Sequence, residues 1–104
     1  MASPLRKTLP IAASSFTVNY DHDNSSEVIL LVTQTGAVTV NLPGPVGFQA
    51  RILVKKMSAS GTVTIQGPGS ILIDLAANYS LAAQYKFVEL LSDLAGNWAI
   101  IGAN

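Results

Sequence analysis

The sequence predicts an all-β fold, specifically a single antiparallel β-sandwich of jelly-roll type with about eight strands. Period-two alternation of apolar and polar residues recurs between Gly, Pro, Asn and Asp residues. No segment repeats apolar residues at helical spacing over three turns. The alternating segments follow one another at roughly ten-residue intervals, as in a sandwich or jelly roll. The chain of 104 residues is long enough for one domain, which we place at residues 14–104.

Turn residues and alternation predict the strands in order. Val38 to Leu42 is the clearest, because its Val and Leu residues alternate with Thr and Asn before Pro43 stops the pairing. Residues 27–33 form a continuous apolar run, typical of a strand covered on both faces. Gly96 suits the turn of a last hairpin between residues 85–91 and 97–101. The other predicted strands are residues 15–20, 50–57, 62–66, 71–75 and 79–81.

Residues 1–13 are predicted to form an extended N-terminal arm outside the core. They contain Pro4, Pro10 and two adjacent cations, and they do not alternate. Such a segment can order on a partner, with Leu5 and Ile11 as apolar anchors and Arg6 and Lys7 as charge contacts. A disordered terminus is the alternative. In either case we expect the arm to be dispensable for folding.

Aromatic residues are concentrated late in the chain. Tyr85, Phe87 and Trp98 lie in the last predicted hairpin and alternate with other apolar residues. This pattern favours core packing over a platform that stacks on sugar rings. We therefore predict these three residues as anchors of the core.

The low content of charge is the most informative feature of the composition. Only 12% of the residues are charged, about half the usual share, whereas 49% are hydrophobic. This composition favours a permanent oligomer whose surface is partly covered, although a monomer coated with Ser, Thr, Asn and Gln is the alternative. A net charge of zero argues against nucleic acid as a partner.

The sequence shows no signal peptide, no membrane-spanning segment and no cysteine. The N-terminal residues lack the apolar run of a signal peptide, so we expect the chain to be made in the cytoplasm and kept without secretion. The longest uncharged stretch, residues 28–50, is broken by Gly, Pro and polar residues, and this argues against a membrane span. The chain has no cysteine, which excludes disulfides, thiol nucleophiles and Cys-ligated metals.

No catalytic motif is evident. His22 is the only histidine, and no Gly-x-Ser-x-Gly motif accompanies it. The densest polar cluster is Asp21 to Asn24 with Glu27 close behind, and its carboxylates suit calcium but lack the ligand spacing and the glycine of a calcium loop. A solvated turn explains this segment better, and metal binding there is left open. We expect a protein that is not an enzyme and uses no cofactor.

Four segments share a distinctive arrangement of strands and turns: Thr35 to Pro43, Val63 to Ile65 with Ile71 to Asp74, Ser80 to Asp93 and Asn97 to Gly102. Together they resemble a β-module of tailed-bacteriophage virion proteins, found in tail fibres, head fibres and capsid decoration proteins. The resemblance spans roughly residues 30–104, although Leu94 and Ala95 lengthen one turn.

The resemblance implies a virion structural protein. Because the module makes up nearly the whole chain, a capsid decoration (cement) protein is the favoured interpretation. Such a protein would sit on the capsid surface, often as a trimer, and stabilise junctions by binding the major capsid protein. A trimeric tail-fibre or spike module that binds a host-surface carbohydrate is the alternative. A small carbohydrate-acting enzyme is a third, less favoured hypothesis.

Overall fold

The structure is a computed structural model that describes residues 6–19 and 27–104, and those residues form strands and loops without any helix. Accordingly, this part of the chain offers no helix long and apolar enough to cross a membrane. The strands within these ranges are β1 (Arg6–Ile11), β2 (Ser15–Thr17), β3 (Glu27–Val32), β4 (Val38–Asn41), β5 (Arg51–Lys56), β6 (Val63–Gln66), β7 (Asn78–Leu81), β8 (Phe87–Ser92) and β9 (Trp98–Ala103).

The strands form two mixed sheets. The five-stranded sheet has the order β1-β3-β5-β8-β9, and the four-stranded sheet has the order β2-β4-β6-β7. From β1 to β6 the chain alternates between the sheets, so each of β1 to β4 pairs with the strand one circuit later. Register partners in successive circuits are 21 to 25 residues apart. The first six strands therefore make three turns of a two-sheeted coil, which β7, β8 and β9 complete.

The pairing corrects the expectation of an antiparallel fold. Among the described strands, β1–β3, β3–β5, β2–β4 and β4–β6 are parallel. Only β5–β8, β6–β7 and β8–β9 are antiparallel. Local alternation specifies which side chains point inward, but it does not specify the partner strand. Here each connection from β1 to β6 carries the chain to the other sheet. A hairpin would instead have placed each strand beside the preceding one.

One hydrophobic core lies between the sheets. In β3 and β5, buried positions alternate with half-buried or exposed ones, so each strand presents one face to the core. The same alternation in β4 and β6 points Val40 and Ile65 inward from the other sheet. Buried residues of both sheets form a single cluster that also contains Trp98. The fold is thus all-β, with two sheets around one core.

Residues 6–11 of the expected N-terminal arm belong to the five-stranded sheet. They form β1, which pairs in parallel with β3. Ile11 is only 4% exposed, and its carbonyl accepts hydrogen bonds from the backbone N–H groups of Thr33 (2.8 Å) and Gln34 (3.2 Å). Pro10 is compatible with this strand because β1 is an edge strand, where one side of the backbone needs no partner. For these residues the expectation of an arm outside the core is corrected.

Two predicted strand segments also differ from the structure. Residues 71–75 form a turn with isolated bridges in place of a strand, because Asp74 and Leu75 have positive φ angles of 48° and 69°. The last hairpin begins at Phe87 and not at Tyr85, whose φ is also positive. Extended strands require negative φ, so these residues cannot continue a ladder.

The connections gather at two opposite ends of the strands. We call one the tryptophan end; it consists of loops 42–50, 67–77 and 93–97, which lie around Trp98. We call the other the lysine end; it consists of loops 33–37, 57–62 and 82–86. The register shows that the two ends lie at opposite ends of β5. Arg51, the first residue of β5, follows loop 42–50 and pairs with the first residue of β3 at the tryptophan end. Lys55, near the last residue of β5, pairs with Phe87 at the lysine end.

Candidate contact surface

Trp98 holds together the loops of the tryptophan end. Its ring is 1% exposed and packs edge-on against Phe48, with ring centroids 5.7 Å apart. Its indole Nε1 donates a hydrogen bond to the Pro43 carbonyl (3.0 Å). Its backbone N–H donates to the Leu72 carbonyl (2.9 Å), and its carbonyl accepts from the Asp74 N–H (3.0 Å). One buried residue therefore joins loops 42–50 and 67–77, directly after the 93–97 loop in the chain.

Three aliphatic side chains project into solvent from these loops. We call Val46, Leu75 and Leu94 the tryptophan-end patch; they are 76%, 85% and 93% exposed. Val46 and Leu94 line the same open groove, of about 380 Å³, together with Pro45, Phe48 and Leu91. Scattered exposed apolar residues are ordinary on a protein surface, whereas apolar residues grouped around a groove mark contact sites.

Two of these three residues also have an unfavourable backbone conformation. Leu75 and Leu94 have φ angles of 69° and 64°, a region that Gly and Asn adopt far more readily than a branched side chain. Such a conformation costs of order 1 kcal/mol. Neither conformation nor solvation favours leucine at these positions in the isolated chain. The side chains are explained if another surface covers them.

Two carboxylates shape the loops beside the patch. The Asp93 Oδ1 accepts hydrogen bonds from the backbone N–H groups of Ala95 (2.7 Å) and Asn97 (3.0 Å). The Asp74 Oδ1 accepts from the Ile100 N–H (3.1 Å). Both residues are exposed, and the three loops of this end contain no Lys or Arg. The patch is therefore apolar, with Asp74 and Asp93 in the loops beside it and Arg51 at the start of β5 directly after loop 42–50.

The residues predicted to contact a partner from the N-terminal arm lie elsewhere. Leu5 is outside the described residues. Arg6 and Lys7 lie in β1, where Lys7 is half-buried. Ile11 is part of the core, so its side chain is not available to a partner.

The three predicted core anchors occupy different environments. Trp98 is buried and Phe87 is half-buried. Tyr85 is 55% exposed, which corrects its prediction as a core residue. Tyr85 precedes β8, and its N–H donates to the Lys56 carbonyl (2.6 Å) with φ at 69°. This turn directs the ring outward, where the Lys55 Nζ lies 5.7 Å from its centroid.

The loop considered for calcium, Asp21 to Asn24, lies outside the described residues. Elsewhere in the chain, within residues 6–19 and 27–104, no group of three or more His, Asp or Glu side chains is placed to hold a metal ion.

The sequence contained a signal for the patch that strand patterns did not use. Leu94 lies within a hairpin loop and Leu75 follows Asp74 in a turn, positions at which polar or glycine residues are the norm. An aliphatic residue inside a turn has no strand face to bury it. Its conformation and its neighbours, however, depend on how three distant loops meet at Trp98.

Comparison with known proteins adds no relative. No protein-family model matches the chain, and no curated protein matches it significantly. A functional interpretation must therefore begin from the surface just described and from the motif resemblance.

Proposed function

We propose that this chain is a non-enzymatic structural protein of a bacteriophage virion, acting as a capsid decoration protein. In this proposal its two mixed sheets pack as a sandwich, and the molecule stabilises junctions between capsid subunits. The tryptophan-end patch is the observation that carries the proposal. Two of its three exposed aliphatic side chains, Val46 and Leu94, line one groove, and two, Leu75 and Leu94, are on strained backbone. The resemblance of residues 30–104 to virion β-modules supports the same interpretation.

The physical effect of such a protein is additional buried area between subunits. Burying one exposed leucine or valine side chain contributes about 1.5–3 kcal/mol, before the entropy lost on association is subtracted. A decoration protein repeats this contribution over many copies of a shell. The total raises the temperature or internal pressure that the particle withstands.

The chemistry of the patch favours binding over catalysis. Its side chains are aliphatic, and the oxygen atoms of Asp74 and Asp93 described above accept hydrogen bonds from backbone amides of β9 and of the 93–97 loop. Those contacts hold the loops in place. A surface of this kind suits a permanent contact between subunits.

Location on the particle tests the proposal. Particles of the phage that encodes the chain are labelled with an antibody against the purified protein and imaged by electron microscopy. Label over the whole shell is expected. Label confined to the tail would support a tail-fibre module instead, and particles without the protein would contradict both interpretations.

A second measurement links the patch to the particle. Particles carrying Leu94→Asn are expected to release DNA at a lower temperature than parent particles. Ile101→Ser is the matched control, because it removes an exposed aliphatic side chain that lies on β9 and outside the patch. Equal effects of the two variants would argue against the patch as the contact.

A further inference from the structure

We infer that the lysine end is a second contact surface, which docks on an acidic segment of a capsid subunit. This inference rests on the proposed function, since a protein that stabilises a junction has to contact a subunit on each side of it. The tryptophan-end patch supplies one of these contacts. We call Lys55, Tyr85 and Lys86 the lysine-end patch and assign the other contact to it.

Tyr85 is exposed at a position where the backbone favours glycine or asparagine. It is the third residue of turn 83–86, which the Lys86 N–H closes by donating to the Ala83 carbonyl (3.3 Å). Its φ is 69° and its side chain is 55% exposed, whereas turns with positive φ at this position usually have Gly or Asn there. Persistent backbone strain is associated with function, and tyrosine is enriched among the residues that dominate protein interfaces. The exposed ring is explained if a partner covers it.

Positive charge surrounds this ring. The Lys55 Nζ lies 5.7 Å from the ring centroid, and the exposed Lys86 directly follows Tyr85 in the chain. The loops of the lysine end contain no Asp or Glu. Glu89 follows in β8, but its carboxylate lies 4.0 Å from the guanidinium of Arg51, which begins β5 at the other end. The surroundings of the ring are therefore cationic.

Lys56 places a third cation at this end. Its side chain is 1% exposed, and its Nζ donates a hydrogen bond to the Ser58 carbonyl. Buried charges are usually paired with an opposite charge, but none of the three lysines forms an ion pair with a carboxylate of the described residues. A carboxylate at Asn104, which lies at the same end, would still leave the net charge positive. The lysine end thus lacks a counter-charge.

This combination of charge and aromatic surface indicates the class of partner. Cations around an exposed ring are complementary to carboxylates that alternate with apolar groups, as in an acidic protein segment. Three lysines, one of them buried, are too few for a polyanion such as DNA, whose binding requires several neutralised phosphates. The lysine-end patch therefore fits an acidic segment of a protein.

A second copy of the chain is a poor source of the carboxylates. Asp74 and Asp93 accept hydrogen bonds from backbone amides of their own chain, and Glu89 faces Arg51. Glu27, the remaining acidic residue within the described ranges, also has an interaction partner. Because none of these four acidic residues is without a partner, we assign the acidic segment to a different protein. In the proposed function that protein is the capsid subunit.

The positions of the two surfaces suit a junction. The tryptophan-end patch and the lysine-end patch lie at opposite ends of β5. A subunit bound at one end leaves the other end uncovered, so one molecule can contact two subunits.

Two substitutions disable the lysine-end patch without weakening the fold. Tyr85→Asn removes the ring and places a residue that adopts positive φ readily, so the melting temperature should stay equal or rise. Lys86→Glu replaces repulsion from two neighbouring lysines by attraction, so it should not lower the melting temperature either. Lys86→Arg keeps the charge and is one control. Thr8→Glu is the other, since it adds a carboxylate at an exposed position of β1.

A hexaglutamate peptide tests the class of partner on the purified chain. In NMR spectra of the 15N-labelled protein at low salt, amides of residues 55–58 and 83–87 should shift, and those of loops 42–50 and 93–97 should not. Lys86→Glu should raise the dissociation constant of the peptide at least about five-fold, and both controls should change it by less than about two-fold. A thymidine oligonucleotide that binds the same residues more tightly would identify nucleic acid as the partner and overturn the inference.

Attachment to particles tests the contact itself. Labelled protein is mixed with particles assembled without it, and the bound fraction is measured by sedimentation. Tyr85→Asn should raise the dissociation constant at least about ten-fold, the effect of removing a central contact residue. Lys86→Glu should raise it at least about five-fold, whereas Lys86→Arg and Thr8→Glu should attach as the parent does.

Other results distinguish this inference from the proposed function. If the parent covers the shell and both disabling variants attach as tightly as it does, the lysine end is not a contact and the proposed function stands. If hexaglutamate shifts no amide at the lysine end, the surface does not bind carboxylates and the inference is overturned. A parent that binds hexaglutamate there but is absent from particles would contradict the proposed function and the capsid subunit as partner.

Discussion

Gly61 shows how a single residue can permit two turns of the coil to stack. Its φ is 78°, and a Cβ atom there would lie 2.3 Å from the carbonyl oxygen of Gly36, in the turn one circuit earlier. The same two turns are joined by the Ser60 hydroxyl, which donates to the Thr35 carbonyl (2.7 Å). Only a residue without a side chain allows the backbones to approach this closely.

We therefore expect Gly61→Ala to lower the free energy of unfolding by about 1–3 kcal/mol, since it adds both a steric clash and an unfavourable φ. Gly36→Ala is the matched control. A Cβ at Gly36 meets no atom within 4 Å, so its effect should lie within about 0.5 kcal/mol. Urea denaturation of both variants measures the difference. Equal stability of the two would show that these turns do not stack in this way.

Lys56 illustrates what alternation decides for a single side chain and what it leaves open. In β5, Lys55 and Lys56 point to opposite faces, and Lys56 is 1% exposed. Its Nζ donates to the Ser58 carbonyl at the lysine end. The stem of the side chain lies with the core while its amino group reaches a backbone acceptor, as amphipathic lysine side chains can. Alternation predicts the inward direction, but the acceptor comes from the following turn.

At the scale of elements, β1 shows why the start of the chain could be misread from sequence. Edge strands tolerate proline and often carry cations, because these features discourage pairing with other chains. Pro10, Arg6 and Lys7 therefore suit an edge strand as well as they suit an arm. Parallel pairing with β3, 21 residues later, distinguishes the two interpretations. No local pattern in residues 1–13 reveals that partner.

The structure reverses the expectation that this segment is dispensable for folding. Ile11→Ala should lower the free energy of unfolding by about 2–5 kcal/mol, the range for removing a buried isoleucine side chain. Thr8→Ala, at an exposed position of the same strand, should change it by less than about 0.5 kcal/mol. Thermal and urea denaturation give both values. If Ile11→Ala is as stable as Thr8→Ala, β1 contributes nothing to the core.

The sheet edges help to explain why the proposed contact surface lies in loops and not along an edge strand. β2 and β7 are short edge strands of three and four residues, and β1 contains Pro10. β9 is longer, but the 72–74 segment already bonds both backbone groups of Trp98, and the Asp74 carboxylate accepts from the Ile100 N–H. These features limit strand addition along the edges. Exposed apolar loops are left as the stronger candidates for assembly.

At the scale of the whole molecule, the few described charges lie at both ends of the strands. Asp74 and Asp93 lie in loops of the tryptophan end, and Arg51, which begins β5, lies at the same end. The Arg51 guanidinium is 4.0 Å from the Glu89 carboxylate on the five-stranded sheet. Lys55 and Lys86 lie near the lysine end. Charge counted over the sequence does not reveal where along the strands each charge lies.

The sequence by itself determined the all-β class, most strand positions and the inward residues. These follow from period-two alternation and from turn residues, which act within a few positions of one another. It also indicated a surface short of charge. The buried position of Trp98 agrees with the alternation of the last hairpin.

Only the tertiary structure decided the parallel pairing, the role of residues 6–11 and the location of the patch. Parallel partners are separated by 21 to 25 residues, and nothing within a strand specifies which circuit it will lie beside. Likewise, Val46 and Leu94 are far apart in sequence and line one groove only in the folded chain, and Trp98 bonds and packs with the loops that carry Val46 and Leu75. Local preferences act between neighbours in the chain, whereas these features depend on packing between distant segments.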